Sequence, residues 1–396
     1  MPGDLSPVDG MSRPYLGDFD VAIVGAGIAG ASLAWELSAH LRVLVLERES
    51  QPGYHTTGRS AALFSEVYGN GIVRALSRAS RAFLESPGAG FAEHPLLTPR
   101  GSLFFAAAGQ LEQLQALHAE IAPRSASLRW LHGDELRSHL PALRPEAAQE
   151  GLFEPDASDI DVHALHQGYL RNARRQGATL ICDAEVESAS YAQAHWTLIS
   201  RGGQCSATLL VNAAGAWADS LAQMAGAVPL GLTPLRRTAL VFEDTDSWDS
   251  RHWPLAVDIE EQLYFKPDAG RLLASPADET PSPPCDAQPD EFDVAVLLDR
   301  LERMTLLRPK RITGRWAGLR TFAPDRTPVA GFDPRVAHFF WLAGQGGYGI
   351  QTAPALALLS ASQILGKPLP DQLAAHGVTP QSLSAQRFEQ AQEVAI

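Results

Sequence analysis

The 396-residue chain carries 32 Lys and Arg against 45 Asp and Glu, a formal net charge of −13, and no local block of basic residues. That balance excludes a nucleic-acid partner as the natural expectation. Apolar content of 45% and charged content of 19% fit a packed globular enzyme, long enough for two domains or for one body with a smaller domain inserted.

Residues 1–18 contain no apolar core of signal-peptide length and read as a loose tail. No run approaches the roughly 20 apolar residues of a spanning helix, so membrane contact is at most peripheral. Cys182, Cys205 and Cys285 form no paired motif, which suits a reducing cytoplasm better than a disulfide scaffold. No metal site is expected: His163 and His166 share a helical spacing without the glutamate of a zinc motif and read as helix surface.

From residue 19 the text is FDVAIVGAGIAGASLAWELSAHLRVLVLERE. A buried strand over 21–24, a helix and a second strand over RVLVLE make one β-α-β unit. Its turn, Gly25-Ala-Gly27-Ile28-Ala29-Gly30, fits GxGxxG: a tight turn, close approach of a pyrophosphate, and helix packing against the strand. Helix N-terminal amides then stabilise the anion. Glu47, 17 residues after Gly30, ends the second strand where a carboxylate accepts from ribose hydroxyls and repels a 2′-phosphate, which disfavours NADP.

GYHTTGRSAA follows as a polar turn, with Arg59 and Ser60 expected to lead into a helix. It serves either as a wrap for a long flavin dinucleotide, which a nicotinamide enzyme does not need, or as a plain capping loop. Residues 95–150 are irregular and Pro-spaced. DIDVHALHQGYLRNARRQG reads as a helix capped by Asp161 and closed by Gly177, followed by strand-like ATLIC, EVESASY, HWTLIS and TLLVN. From about residue 230 the text reads as strands and turns of an antiparallel sheet. Near the C-terminus GQGGYG precedes APALALLSASQIL, a second glycine turn before a helix; residues alone leave a simple turn and a cofactor contact evenly matched.

We therefore expect an α/β (α+β) fold: a Rossmann-like dinucleotide-binding domain, an FAD-binding domain on the wrap reading of GYHTTGRSAA, over 19–94, 151–229 and 326–396, with an antiparallel-sheet substrate domain over 95–150 and 230–325 inserted into it.

Five segments in order, VAIVGAGIAGASLAWEL with Glu47, HTTGRSAA, VNAAGAWAD, WAGLRTFAPD and GQGGYGIQTAP, resemble the D-amino acid oxidase-like superfamily, and most closely FAD-dependent D-amino acid dehydrogenases of the D-arginine dehydrogenase type. The resemblance implies noncovalent FAD and oxidation of an amino acid to an imino acid, hydrolysed to a 2-oxo acid and ammonia. With no cysteine beyond Cys285, a covalent flavin link in the C-terminal region is excluded. The cofactor contacts it implies, beyond the turn residues and Glu47, are Arg48, Thr57, Arg59, Ser60, Ala61, Ala62, Val186, Ala214, Gly215, Trp217, Gly318, Gly344, Gly346, Gly347, Tyr348, Gly349, Ile350 and Gln351. It further implies a small-molecule amino acid substrate, an unidentified electron acceptor such as a quinone or dye, and a cytoplasmic location with at most peripheral contact with the inner membrane.

A substrate α-carboxylate is best fixed by a guanidinium. Arg236 and Arg237 are adjacent on a strand and face opposite ways, so only one faces the cofactor. The resemblance selects Arg237 and adds Arg320. Tyr264 and Tyr68 are candidate hydroxyl donors, Tyr68 on a lid, although each alone reads more readily as packing. Gly347 lies in the turn that returns to the flavin. No side-chain base stands out, so a water or binding of the neutral amine serves equally. Secondary amines and 2-hydroxy acids present the same carboxylate and remain alternatives.

Arginine-preferring relatives carry a carboxylate after the segment resembling HPLLTPR, where this chain has Gly101 and Ser102. They carry a histidine where it has Leu63 and Phe64. A pocket of Leu63, Phe64, Ser102 and Gln351 gives a cationic side chain no countercharge and favours neutral ones. Glu66 is the one nearby acid, either facing the pocket or turned to solvent.

Overall fold

The segment Val43–Leu46 is buried at every position, as a strand covered on both faces must be. In the computed structural model, which describes residues 13–125, 127–244 and 248–388, it pairs in parallel with Tyr15–Val24, and that strand with Gly203–Asn212. Thr179–Ile181 and Phe339–Ala343 extend the parallel set outward, and the antiparallel strands Val186–Ala192, His195–Ser200 and Val329–Phe332 complete an eight-stranded sheet. Helices Ile28–Ser38, Gly71–Glu85, Val162–Arg175 and Gly349–Ile364 pack on it through an apolar core that includes Leu33, Leu37, Leu76 and Leu356.

The first strand begins at Tyr15, not residue 21, and so takes in the end of the stretch 1–18 read as a loose tail. Tyr15, Gly17 and Asp18 pair with Gln204, Cys205 and Ser206, whose ten-residue strand offers backbone groups that need partners. A Cβ at Gly30 would stand 1.9 Å from the Gly25 carbonyl oxygen, so the first helix meets the turn only because residue 30 is glycine. His166 is not on a helix surface. It is buried, and its Nε2 lies 2.8 Å from the Ala26 carbonyl oxygen, under the first glycine turn.

The second sheet has nine strands, drawn from 102–154 and 233–322, and is mainly antiparallel; Leu255–Asp258 runs parallel to Ser102–Ala106. Glu150–Glu154 belongs to it by pairing with Ser102–Ala106, so the boundary expected at residue 150 falls inside a strand. Three helices went unanticipated: Leu111–Ile121, Gly133–His139 and Glu291–Met304. Leu63–Phe64, Ser158–Ile160 and Leu97–Pro99 form a separate three-stranded sheet. No helix follows Arg59 and Ser60; residues 51–59 form turns and the chain enters the strand Leu63–Phe64.

Register decides which side chains share a face of the second sheet. Arg237 pairs with Gly318 and Leu235 with Arg320, so Arg237, Gly318 and Arg320 point the same way. Leu240 pairs with Ala274, which puts Ser275 and its partner Tyr264 on that face too. The same face continues through Val257 to Phe104 on one row and through Leu255, Ser102 and Glu154 on the next. At about 4.8 Å per strand, Ser102 lies roughly 10 Å and Glu154 roughly 14 Å along the sheet from the Tyr264 strand.

Candidate active site

A continuous cavity runs from the C-terminal ends of the parallel strands to the face of the second sheet. Open α/β sheets place ligands at such strand ends. At one end Gly25, Gly27, Ile28 and Ala29 line it. Thr57 Oγ1 accepts from the Ile28 amide (3.0 Å), while the amides of Gly27 and Ala29 have no partner among the described residues, as an anion at a helix N-terminus requires. Glu47 is buried; its Oε2 accepts from the Ala26 amide (2.8 Å) and its Oε1 from the Glu49 amide (3.0 Å). Each oxygen can accept a second bond, the capacity ribose hydroxyls need.

Beyond Glu47, Arg48 stands 4.5 Å over the Trp217 ring and His55 packs on it at 4.8 Å. Val186, Ala214 and Gly215 complete this end. The turn expected as a wrap does cross to the second sheet. Thr56 Oγ1 donates to Leu319 O (2.7 Å), Arg59 to Ala287 O and Ala317 O (2.9 Å each) and to Asp286, and Trp316 Nε1 to Arg59 O (2.9 Å). Arg59, Ser60 and Ala61 line the cavity, but the Arg59 guanidinium is committed to those partners.

The far end is closed by the second glycine turn and the second sheet. Gly344, Gly346, Gly347, Gly349 and Ile350 line it opposite Gly318, Arg320, Arg237 and Tyr264. A Cβ at Gly347 would stand 2.8 Å from Arg320 Nη1, so the turn lets the guanidinium lie against the main chain. The helix Gly349–Ile364 starts here and aims the positive end of its dipole at the cavity. Thr321 Oγ1 and Gln345 Nε2, on lining residues, are buried without a partner. Such orphaned groups fit the polar edge of a bound ring system.

The two arginines differ in kind. Arg237 Nε donates to Asp278 O (2.8 Å) and Nη2 to Glu279 (3.2 Å), and Glu279 is held by Arg326 (2.6 Å and 3.0 Å). Arg320 has no carboxylate ion pair among the described residues. Burial works against its charge, but the Tyr68 and Tyr264 oxygens outweigh that and hold it as a cation. Burial also pushes the Tyr264 phenol up, yet the Arg320 and Arg237 guanidiniums overcome it and leave its pKa below the ordinary phenol value. Tyr68 is raised, by burial first and then by the Glu261 charge. Arg236 faces away, paired with Asp293 (2.9 Å) and Asp290 (3.4 Å), as strand alternation requires.

Several expected residues do not line the cavity. Gly30 lies beneath it, and Ala62 and Tyr348 flank it; the Tyr348 ring packs 5.1 Å from that of Tyr68. Tyr68 does not line the cavity but lies close enough to act on the lining groups Arg320, Arg237 and Tyr264. The expected side-chain pocket is not assembled there. Phe64 is buried in a separate apolar cluster beside the strand partner of Leu63, Ser102 sits two strands away, and Gln351 accepts from the Ser65 amide (3.0 Å). Glu66 does not line the cavity; it is half-buried and pairs with Arg81 (2.6 Å). Thr321, Gln345 and Trp316 were missed. Thr321 directly follows Arg320 and Gln345 lies inside GQGGYG, so both were within reach of the motifs.

None of the three cysteines lines the cavity, and no metal-ligating cluster occurs among the described residues. No described helix is long and apolar enough to cross a membrane. The profile of the FAD dependent oxidoreductase family (DAO) matches residues 20–363. L-2-hydroxyglutarate dehydrogenase of Escherichia coli is 26% identical over 223 residues, 53% of this chain and 51% of that protein, so the match spans about half of each. In structure, glycine oxidase from Geobacillus kaustophilus superposes with a TM-score of 0.76 at 22% identity, covering 89% of this chain and 95% of that one. L-proline dehydrogenase from P. horikoshii superposes with a TM-score of 0.78 at 20% identity, covering 95% and 99%.

Proposed function

Because the chain belongs to the FAD dependent oxidoreductase family and takes FAD as its cofactor, we propose that it oxidises α-amino acids at Cα, of D configuration by its motif resemblance. When bound, FAD supplies the two-electron oxidant that removes a hydride from Cα. Gly27, Ala29, Glu47 and the second glycine turn would hold it. The observation that carries the reading is the Arg320 guanidinium, which has no carboxylate ion pair among the described residues and is set near Tyr68, Tyr264 and the Gly347 turn. A bidentate contact there fixes an α-carboxylate, and Arg237 and Tyr264 close its other side. The amine loses a proton and Cα a hydride; water then hydrolyses the imino acid to a 2-oxo acid and ammonia.

Amine oxidation suits this lining better than oxidation of a 2-hydroxy acid. A hydroxyl gives up its proton far less readily than an ammonium group and needs a strong, placed base. His55 is the one imidazole among the described lining residues, and it is bound to Glu49 (2.8 Å) at the ribose end. Relatives acting on glycine and L-proline support the amine reading; L-2-hydroxyglutarate dehydrogenase supports the alternative. A neutral side chain keeps its support on a different basis from that expected. The lining carboxylates Glu47 and Glu185 lie at the ribose end, Glu185 paired with Arg48 (3.3 Å) and Arg201 (2.6 Å), so no carboxylate lines the clamp end, and Glu279 behind it is already paired with Arg237 (3.2 Å) and Arg326 (2.6 Å). The deciding experiment is a panel of amino and hydroxy acids scored for anaerobic flavin bleaching.

A further inference from the structure

Residues 65–68 are held from both halves of the molecule through a single serine. Its amide donates to Gln351 Oε1 (3.0 Å), on the helix that follows the second glycine turn, and its hydroxyl donates to Glu154 Oε2 (2.6 Å), on the second sheet. The next amide, of Glu66, donates to Glu154 Oε1 (2.8 Å), and the Val67 amide donates back to Ser65 Oγ (3.3 Å). Glu154 is 2% exposed. Both of its oxygens are therefore spent on this one segment, at the desolvation cost of a buried carboxylate. The Glu66 side chain plays no part in the anchor, being paired with Arg81 (2.6 Å).

Three residues beyond Ser65, Tyr68 packs against the cluster of Leu235, the strand partner of Arg320, and its oxygen lies close enough to help hold the Arg320 charge. Its only ring neighbour among the described residues is Tyr348, an edge contact at 5.1 Å and 64°, within a small cluster that includes Val73, Leu235 and Phe322. The path from Glu154 to the clamp is thus short: two hydrogen bonds that join the carboxylate to residues 65 and 66, the backbone through Val67 to Tyr68, and the tyrosine beside the guanidinium.

We propose that Glu154 is a positioning residue for the carboxylate clamp, holding residues 65 and 66 so that Tyr68 presents its hydroxyl to Arg320. The proposal rests on reading Arg320 as the group that binds the substrate carboxylate. It does not depend on whether the neighbouring substituent is an amine or a hydroxyl.

The test therefore uses acetate, an inert carboxylate, titrated into the FAD-loaded enzyme and read by the flavin absorbance shift, alongside KM, kcat and melting temperature. Glu154→Leu removes both acceptors and should weaken acetate binding and raise KM about 10-fold, the scale of one or two lost hydrogen bonds, with kcat changed less. Glu154→Gln retains an oxygen for the Glu66 amide and an N–H for Ser65 Oγ, and should recover to within about 3-fold. In a Tyr68→Phe background Glu154→Leu should cost under about 2-fold, because both changes remove the same contact. An undiminished cost in that background would show a merely structural role and overturn the proposal. So would a Glu154→Leu enzyme that binds acetate as the wild type does, or a wild type that binds none. Should Glu154→Leu fail to fold, Ser65→Ala replaces it: about 5-fold weaker acetate binding is expected, and unchanged affinity refutes the proposal. A wild type that binds acetate but is bleached by no amino acid would defeat the proposed function and leave this inference standing.

Discussion

Replacing Arg320 by Met should damage catalysis more than replacing Arg237 by Met, although both guanidiniums face the same cavity. The difference follows from their partners. Arg237 shares its charge with Glu279, which keeps Arg326 when Arg237 is gone, so that ion network loses one of two cations. Arg320 has no carboxylate ion pair among the described residues and feels only the more distant charges of Glu261 and Glu279, so more of its charge is left for the ligand. Stranding a desolvated substrate carboxylate by removing its cation costs about 2–5 kcal/mol, or roughly 30- to 4,000-fold in kcat/KM. Arg320→Met belongs at the upper end of that range and Arg237→Met at the lower. Arg320→Lys keeps the charge without the fork and should fall between wild type and Met. Steady-state kinetics with an artificial electron acceptor, at matched FAD content, measures all three. If Arg237→Met proved the more damaging, the assignment of Arg320 as principal clamp would be wrong. Full activity in Arg320→Met would move the clamp elsewhere.

Other consequences are as direct. Burial pushes the Glu154 carboxyl up to about 7 from an ordinary value of 4.5, so the folded protein binds this proton more tightly than the unfolded chain. The resulting stabilisation is complete below about pH 4.5 and is lost as pH rises through about 7, at most about 3 kcal/mol. Glu154→Gln, which cannot ionise, should therefore gain stability relative to wild type between pH 5 and pH 8 in urea melts; parallel curves would refute this. Because no cysteine lines the cavity, acid precipitation should release the yellow colour into the supernatant, and colour retained in the pellet would mean a covalent link. Across D-amino acids, kcat/KM should favour Leu, Met or Phe over Arg and Lys. If D-Arg led, Glu261, an exposed acid whose charge reaches Tyr68 and Arg320, would be the residue to neutralise next.

What could be read in the sequence was whatever depends on local backbone chemistry. The first glycine turn, Glu47 at the end of its strand and the Asp161 cap are set by spacing and φ requirements, and each lies where a local argument puts it. Strand alternation alone required that only one of Arg236 and Arg237 face the cavity, and the family resemblance, not local geometry, selected Arg237. The side-chain pocket failed because it depended on register across four strands. Ser102 shares a face with Tyr264, but two strands away, and no local pattern reports that distance. Glu66 was open between pocket and solvent, and its partner Arg81, 15 residues on, was a third option that single-residue reasoning does not generate. The helix Glu291–Met304 was hidden by the strand-rich text around it, although Asp290 caps it through the Phe292 amide (2.9 Å). The Glu154–Ser65–Gln351 chain joins residues 89 and 286 positions apart and has no sequence signature.

The most direct test of the central claim is anaerobic mixing of the purified yellow protein with each enantiomer of a panel of α-amino acids, with sarcosine, proline and 2-hydroxy acids beside them. The account predicts that a D-amino acid bleaches the flavin, yielding one 2-oxo acid and one ammonia per flavin reduced, and that Arg320→Met slows this strongly while retaining FAD. Bleaching by 2-hydroxy acids alone, or by N-substituted amines and no primary amino acid, would contradict it.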